Sequence, residues 1–231
     1  MYPLRCKDVS HGNHPSQGQQ SDIYLAPEDT DNAKPVIEIE VTKMEYKQRQ
    51  YPLFSACGLN CGLCPRYHTD GISKCPGCAG EDFSSKHPTC GVLSCSQRHG
   101  IEYCYLCDEY PCKRFEGVDN SDSFITHRNQ LTDFDKVKNI GLDAYEAELN
   151  IKVELLKGLL MNFDDGRRKS FFCIAVNLLD LQDLKSVMEQ TKDEIKPDDT
   201  LKEKSTTAVR LLQTMAGKLD ISLQLRKKPK S

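Results

Sequence analysis

The sequence lacks any run approaching eighteen apolar residues, which excludes a transmembrane helix. Its start, from Met1 to Gln20, is polar and rich in His, Gln and Pro, with no apolar h-region, so a secretory signal is not expected. It also lacks a basic excess: the formal net charge is −3 and the pI is near 6.1, which excludes a globally basic nucleic-acid binder. Tryptophan is absent and aromatics are few. No Walker, Rossmann or Gly-x-Ser-x-Gly motif occurs, and no catalytic triad can be assigned. A mean hydropathy of −0.56 predicts a soluble chain, expected in the cytoplasm.

What the sequence has is cysteine. There are twelve, and ten of them fall between Cys57 and Cys112. In a reducing compartment such density points to metal rather than to disulfides. The run reads Cys57-x3-Cys61-x2-Cys64-x10-Cys75-x2-Cys78, then Cys90-x4-Cys95-x8-Cys104-x2-Cys107-x4-Cys112. Three Cys-x2-Cys pairs are present, and two intervening residues let both sulfurs converge on one ion through a tight turn. Cys61/Cys64 with Cys75/Cys78 has the spacing of a zinc ribbon. Zinc takes four ligands per ion, so ten cysteines fill two sites with two left over. Cys90, Cys95 and Cys112 are then candidates to join Cys104/Cys107, in a partition that spacing alone leaves open.

Structural zinc is the first reading. An iron–sulfur cluster, also held by thiolates, is the alternative. Cys57-x3-Cys61-x2-Cys64 is the spacing of radical-SAM enzymes, but the repeated strand–helix units of that fold do not follow. His68, His87 and His99 lie inside the cluster, yet thiols already exceed the need and these read as surface residues. Two zinc ions with eight thiolates carry about four net negative charges, which makes the segment acidic and nucleic acid an unsuitable partner. Cys6 has nothing nearby to complete a site.

Three regions are expected. Residues 1–50 read as a disordered tail with a strand at 36–41, where Ile37, Ile39 and Val41 alternate with Glu38 and Glu40. Residues 51–118 form the cysteine-rich metal-binding module, too poor in aliphatic residues for a conventional core and so in need of a staple. Residues 119–231 form a helical domain with a C-terminal strand and a basic tail.

Phe124, Leu131, Phe134, Val137 and Ile140 recur at helical steps until Gly141. A heptad-like stripe then runs from Leu142 to Phe163. Residues 171–179 are apolar all round, the mark of a buried helix. Asp180 is a candidate cap for a further helix, and Asp198, Asp199 or Thr200 for a last one ending near Gly217. Leu219, Ile221, Leu223 and Leu225 alternate as a strand expected to pair with 36–41. The fold class expected is mostly α, with a small irregular zinc-ribbon-like module and a minor β pair.

The motifs Cys-Gly-Leu-Asn-Cys-Gly-Leu-Cys-Pro (57–65), Lys74-Cys75-Pro76-Gly77-Cys78 and Tyr103-Cys104-x2-Cys107-x2-Tyr110-Pro111-Cys112 resemble those of a prokaryotic family, the domain of unknown function numbered 3795. The likeness continues through Gly166 to Cys173, Asn177-Leu178-Leu179 and Leu223 to Lys228, and so over roughly residues 54–228. It implies a cysteine module binding zinc or an iron–sulfur cluster, with no established activity.

A second constellation is Asp164-Asp165-Gly166-Arg167-Arg168-Lys169 ahead of the buried helix. Arg167, Arg168 and Lys169 beside a helix N-terminus form a candidate anion site, or else an exposed turn neutralised by the two aspartates. Cys173, one turn inside, reads as an inert core thiol. The functional expectation is a metal-binding interaction module with an unknown protein partner and no membrane; the alternative is an iron–sulfur redox protein or enzyme.

Overall fold

A computed structural model of the chain describes residues 46–228. The expected tail and its strand at 36–41 therefore lie outside the described residues, except for 46–50. Those five do not trail away: Arg49 is 6% exposed and the Tyr46 ring packs edge-on against Phe83 at 5.4 Å.

The structure is mostly helical. Two short helices, α1 (Phe83–Lys86) and α2 (Gly91–Arg98), belong to the cysteine segment. Five longer ones follow: α3 (Gln130–Ile140), α4 (Leu142–Phe163), α5 (Lys169–Leu178), α6 (Leu181–Glu194) and α7 (Leu201–Lys218). The predicted periodicities set these elements. Gly141, at φ +87°, ends α3 and begins α4, a backbone conformation that a side chain would strain. On α4, Tyr145, Leu149, Val153, Leu156, Leu159 and Phe163 turn inward. The interior of α5, from Phe172 to Asn177, is buried on every face. Thr200 caps α7 with a full capping box: its hydroxyl accepts from the Glu203 amide, and the Glu203 carboxylate accepts from the Thr200 amide. Asp180 occupies the N-cap position of α6, but its side chain makes no capping bond.

The cysteine segment does not stand apart from these helices. Phe54, Leu63, Tyr103 and Phe115 belong to the same buried cluster as Phe134, Val137, Tyr145, Val153 and Phe172. Phe54 is the wedge, with its ring centroid 5.3 Å from Tyr103, 5.6 Å from Phe134 and 4.7 Å from Tyr145. The aromatic rings supply the apolar area that the aliphatic count lacked. A smaller cluster of Ala56, Cys78, Ala79, Phe83 and Leu93 lies beneath α1 and α2.

One fold expectation needs correction. Among the described residues there is no strand, so the cysteine segment is not a β-built ribbon; of the expected β pair, 219–225 is not a strand and 36–41 lies outside the described residues. The alternation holds over 221–225, where Ile221 and Leu223 pack on the core while Ser222 and Gln224 face out, but Leu219 is exposed at the end of α7. The bonds to this segment come from single residues, through side chain and backbone. The Arg128 guanidinium donates to the carbonyls of Ser222 and Gln224. The Asp122 amide donates to Arg226 O at 2.9 Å, and the Asp122 carboxylate accepts from the Arg226 amide at 2.7 Å and its Nη2 at 3.0 Å. Period-two patterning reports an extended, half-buried segment and does not say what pairs with it.

Burial alone would push the Asp122 carboxyl up, but bonds from Arg226 and His127 outweigh it and hold it down at about 2. A depressed carboxyl stabilises above its ordinary 3.8, and the effect is lost as pH falls towards 2. Asp122→Ala is therefore expected to raise amide exchange across residues 221–228 at neutral pH. The gap between variant and wild type should close on acidification to about pH 2.

Candidate functional site

Pro52 to Ala56 form a rail to which the cysteine turns are pinned. The Pro52 carbonyl accepts from the Cys78 amide at 2.8 Å, the Leu53 carbonyl from Gly62 at 2.9 Å and the Ala56 carbonyl from Cys104 at 2.8 Å. On this rail two Cys-x2-Cys pairs take the same form. Cys61–Leu63 and Cys104–Leu106 are each one turn of 3₁₀ helix, closed by the second cysteine's amide on the first cysteine's carbonyl at 3.1 and 3.0 Å. Cys64 and Cys107 then share one backbone conformation, φ −81° with ψ 136° and φ −82° with ψ 136°. Cys75 is pinned by its amide to the Arg66 carbonyl at 3.0 Å.

All ten cysteines are free thiols. Burial pushes the Cys61 thiol well up, and its neighbours Cys78, Cys57, Cys64 and Cys75 add to the effect. Burial likewise raises Cys104, with Cys57, Cys112, Cys95 and Cys107 beside it. Cys61 has Cys64, Cys75 and Cys78 around it and Cys104 has Cys95, Cys107 and Cys112, with Cys57 beside both. Cys90 lies near Cys57 and Cys78, on the first side. Both remaining cysteines have other work. Cys90 Sγ caps α2 by accepting from the Leu93 amide at 3.5 Å, and Cys57 Sγ lies 3.0 Å from the Ser55 hydroxyl. Among the described residues, no group of three or more Cys, His, Asp or Glu side chains forms a ready-made ion site.

Arg49 is the charge that answers to these thiols. Its Nε donates to Glu102 at 2.7 Å, its Nη1 donates to the Phe54 carbonyl at 2.7 Å, and its guanidinium lies over the Tyr103 ring at 4.6 Å. Its buried Nη2 has no hydrogen-bond partner. Burial pushes the Cys78 thiol up while the adjacent guanidinium pulls against it. A buried cation set against a thiol favours its thiolate form. That cation and the soft donor set fit zinc or an iron–sulfur cluster.

Residues 53–117 match the family model described as Protein of unknown function (DUF3795). No curated protein and no solved structure matches the chain. The DUF3795 match covers all ten clustered cysteines and ends before α3. The motifs from Gly166 to Cys173 and from Leu223 to Lys228 therefore lie outside it.

Arg167 is exposed ahead of α5, while Arg168 at its N-cap and Lys169 at its first position are half-buried. Asp164 Oδ1 accepts from the amides of Gly166 at 3.0 Å and Arg168 at 2.9 Å, while Asp165 Oδ1 accepts from Arg167 at 3.2 Å. The Asp165 carboxylate lies 3.5 Å from Arg167 Nη2 and 4.0 Å from Arg168 Nε, and the Arg167 side chain is 74% exposed. The Asp165 carboxylate answers Arg167, while the buried Nε of Arg168 has no hydrogen-bond partner. His68 Nε2 bonds the Gly62 carbonyl at 2.8 Å, and His87 stacks on Phe83 at 4.5 Å. Burial, with Cys64 beside it, raises the Cys173 thiol to about 12, which leaves it a protonated core residue.

Sequence reasoning missed a polar cavity of about 270 Å³ where the DUF3795 segment meets α3, α4 and the α5–α6 corner. Asn60, between Cys57 and Cys61, donates to Asp133 Oδ2 at 2.8 Å and Asn177 Oδ1 at 3.3 Å, and accepts from the Tyr145 hydroxyl at 2.9 Å. Lys152 donates to the Leu179 carbonyl at 2.8 Å, at the C-terminus of α5. One signal was present in the sequence. In the buried register Tyr145, Leu149, Lys152, Leu156, Leu159 and Phe163, a lysine occupies a seam position.

Burial raises Asp133 from 3.8 to about 6, against the pull of Lys152, Tyr145 and Asn60. A carboxyl raised on folding stabilises below its ordinary value, and that contribution is lost as pH rises through the folded value. Wild-type stability relative to Asp133→Asn should therefore fall between pH 3.8 and about 6 and level off above it, as read by urea unfolding at each pH.

Proposed function

We propose that residues 57–112 form a cytoplasmic structural-zinc module that serves as an interaction module for a protein partner. Cys61, Cys64, Cys75 and Cys78 hold one ion, and Cys95, Cys104, Cys107 and Cys112 hold a second. The observation that carries this reading is the pair of superimposable Cys-x2-Cys turns, one in each set, with every thiol free. Two 3₁₀ turns of equal backbone geometry suit a pair of sulfurs sharing one ion, which would supply half of a tetrahedral shell. Cys57 and Cys90, engaged with Ser55 and α2, are the two left over. Ligation by thiolate also offsets the burial that raises these thiols, because the metal replaces the proton.

A second reading is an iron–sulfur centre serving redox chemistry. It is favoured by Cys57, which lies among the neighbours of Cys61 and would extend that set to the Cys-x3-Cys-x2-Cys run. Colour separates the readings. Protein purified without oxygen is expected to be colourless with about two zinc ions per chain, four thiolates each. A brown preparation containing iron and absorbing near 400 nm would replace the first reading with the second.

Substitutions should rank the cysteines. Cys75→Ser or Cys107→Ser is expected to release about one ion, since each breaks a four-ligand shell. Cys57→Ser, Cys90→Ser and Cys6→Ser should keep both ions. Cys173→Ala should keep them too, losing on the order of 1 kcal/mol of packing. Chelation should expose 57–112 to protease well before α6 and α7 open, because binding free energy is folding free energy in this segment.

A further inference from the structure

Lys152 and Asp133 both line the cavity beside Asn60, and they form no direct ion pair. They attract one another through space, but without direct contact part of the Coulomb energy that would offset their desolvation is missing. Something between them would restore it. Each side has capacity to spare. Lys152 commits one of its three N–H groups, to the Leu179 carbonyl. Asp133 Oδ2 is taken by Asn60, and Lys152, Tyr145 and Asn60 keep the carboxylate mostly ionised at neutral pH against the burial that raises it to about 6. At the rim, Lys136 and Glu148 neutralise one another at 2.6 Å. The Asp180 side chain, also lining the cavity, makes no hydrogen bond or salt bridge among the described residues and acts on Lys152 only through space, although it stands at a helix N-cap where a carboxylate would ordinarily bond the backbone.

We propose that this cavity is a binding site for a small zwitterion of free amino-acid size, its carboxylate on Lys152 and its ammonium between Asp133 and Asp180. A ligand of this kind supplies acceptors where the protein has spare donors, and donors where it has spare acceptors. A lone anion would leave Asp133 and Asp180 unanswered, and a lone cation would compete with Lys152. The volume, about 270 Å³, lies at the lower edge of small-molecule sites and is too small for a nucleotide. A metal ion would answer the carboxylates but leave the spare donors of Lys152 unanswered. The site is independent of whether the cysteines hold zinc or iron.

The test is calorimetric titration of the full-length, metal-loaded protein with the common amino acids, using acetate and methylamine as single-charge controls. One or a few amino acids are expected to bind saturably, and the controls to bind at least about tenfold more weakly, since each lacks one charge-assisted contact. Asp180→Asn, exposed and still able to cap α6, should weaken binding by about tenfold, and Lys152→Gln by at least as much. Circular dichroism and metal content establish that each variant is folded, and Asp180→Asn decides the matter where Lys152→Gln is not. The proposal is overturned by the absence of saturable binding, by controls that match the amino acids, or by an affinity that Asp180→Asn leaves unchanged.

Discussion

The five residues from Pro52 to Ala56 carry a double duty. Their carbonyls hold the turns of Cys78, Gly62 and Cys104, while the Phe54 side chain is buried among Tyr103, Phe134 and Tyr145. One short segment thereby fixes the cysteine turns to one another and to α3 and α4. A backbone amide that lost its carbonyl here would be left unpaired in a buried place, which is costly. Registration of the thiols thus rests on an aromatic packing event some distance from any sulfur.

Burying so many thiols side by side has an electrostatic consequence. Ionisation of one raises the cost of ionising the next, and burial adds to it, so the metal-free thiols resist deprotonation. Arg49 works against that tendency from beneath the segment, and it stands in a stretch whose composition reads as tail. Its value cannot be seen in local composition, because it arises from the Phe54 carbonyl, Glu102 and Tyr103, all brought to it by the fold.

The helices could be read from the sequence closely, and for a simple reason. Periodicity at Phe134, Val137, Leu149 and Leu156, the stop at Gly141 and the box at Thr200 are local properties, each carried by residues within a turn or two. The ten cysteines announce themselves in the same way. Pairing is different, since it depends on residues far apart in the chain. The alternation after Leu219 pointed to a strand because nothing local reveals that Arg128 and Asp122 reach its backbone first. How Asp164 and Asp165 engage the backbone and cations at Arg167 and Arg168 likewise depends on how one turn closes, which the charge pattern alone does not state. The cavity was hidden for a third reason. Asn60, Asp133, Tyr145 and Lys152 come from three separate elements, and only the lysine breaks a pattern.

Gly58 and Gly77 sit in loops, where glycine is commonly taken as a tolerant position. A methyl group at Gly58 would lie 2.5 Å from the Gln130 carbonyl oxygen, and one at Gly77 would lie 2.5 Å from that of Pro52. Both collisions are with backbone, which cannot swing aside as a flexible side chain can. Both glycines also hold φ near +90°, so even alanine meets strain as well as a clash. In a library of variants of this chain, these two loop positions should be as depleted of substitutions as the centre of α5. A map of tolerated changes would then trace where the cysteine loops lie flush against their supports, without reference to any ion.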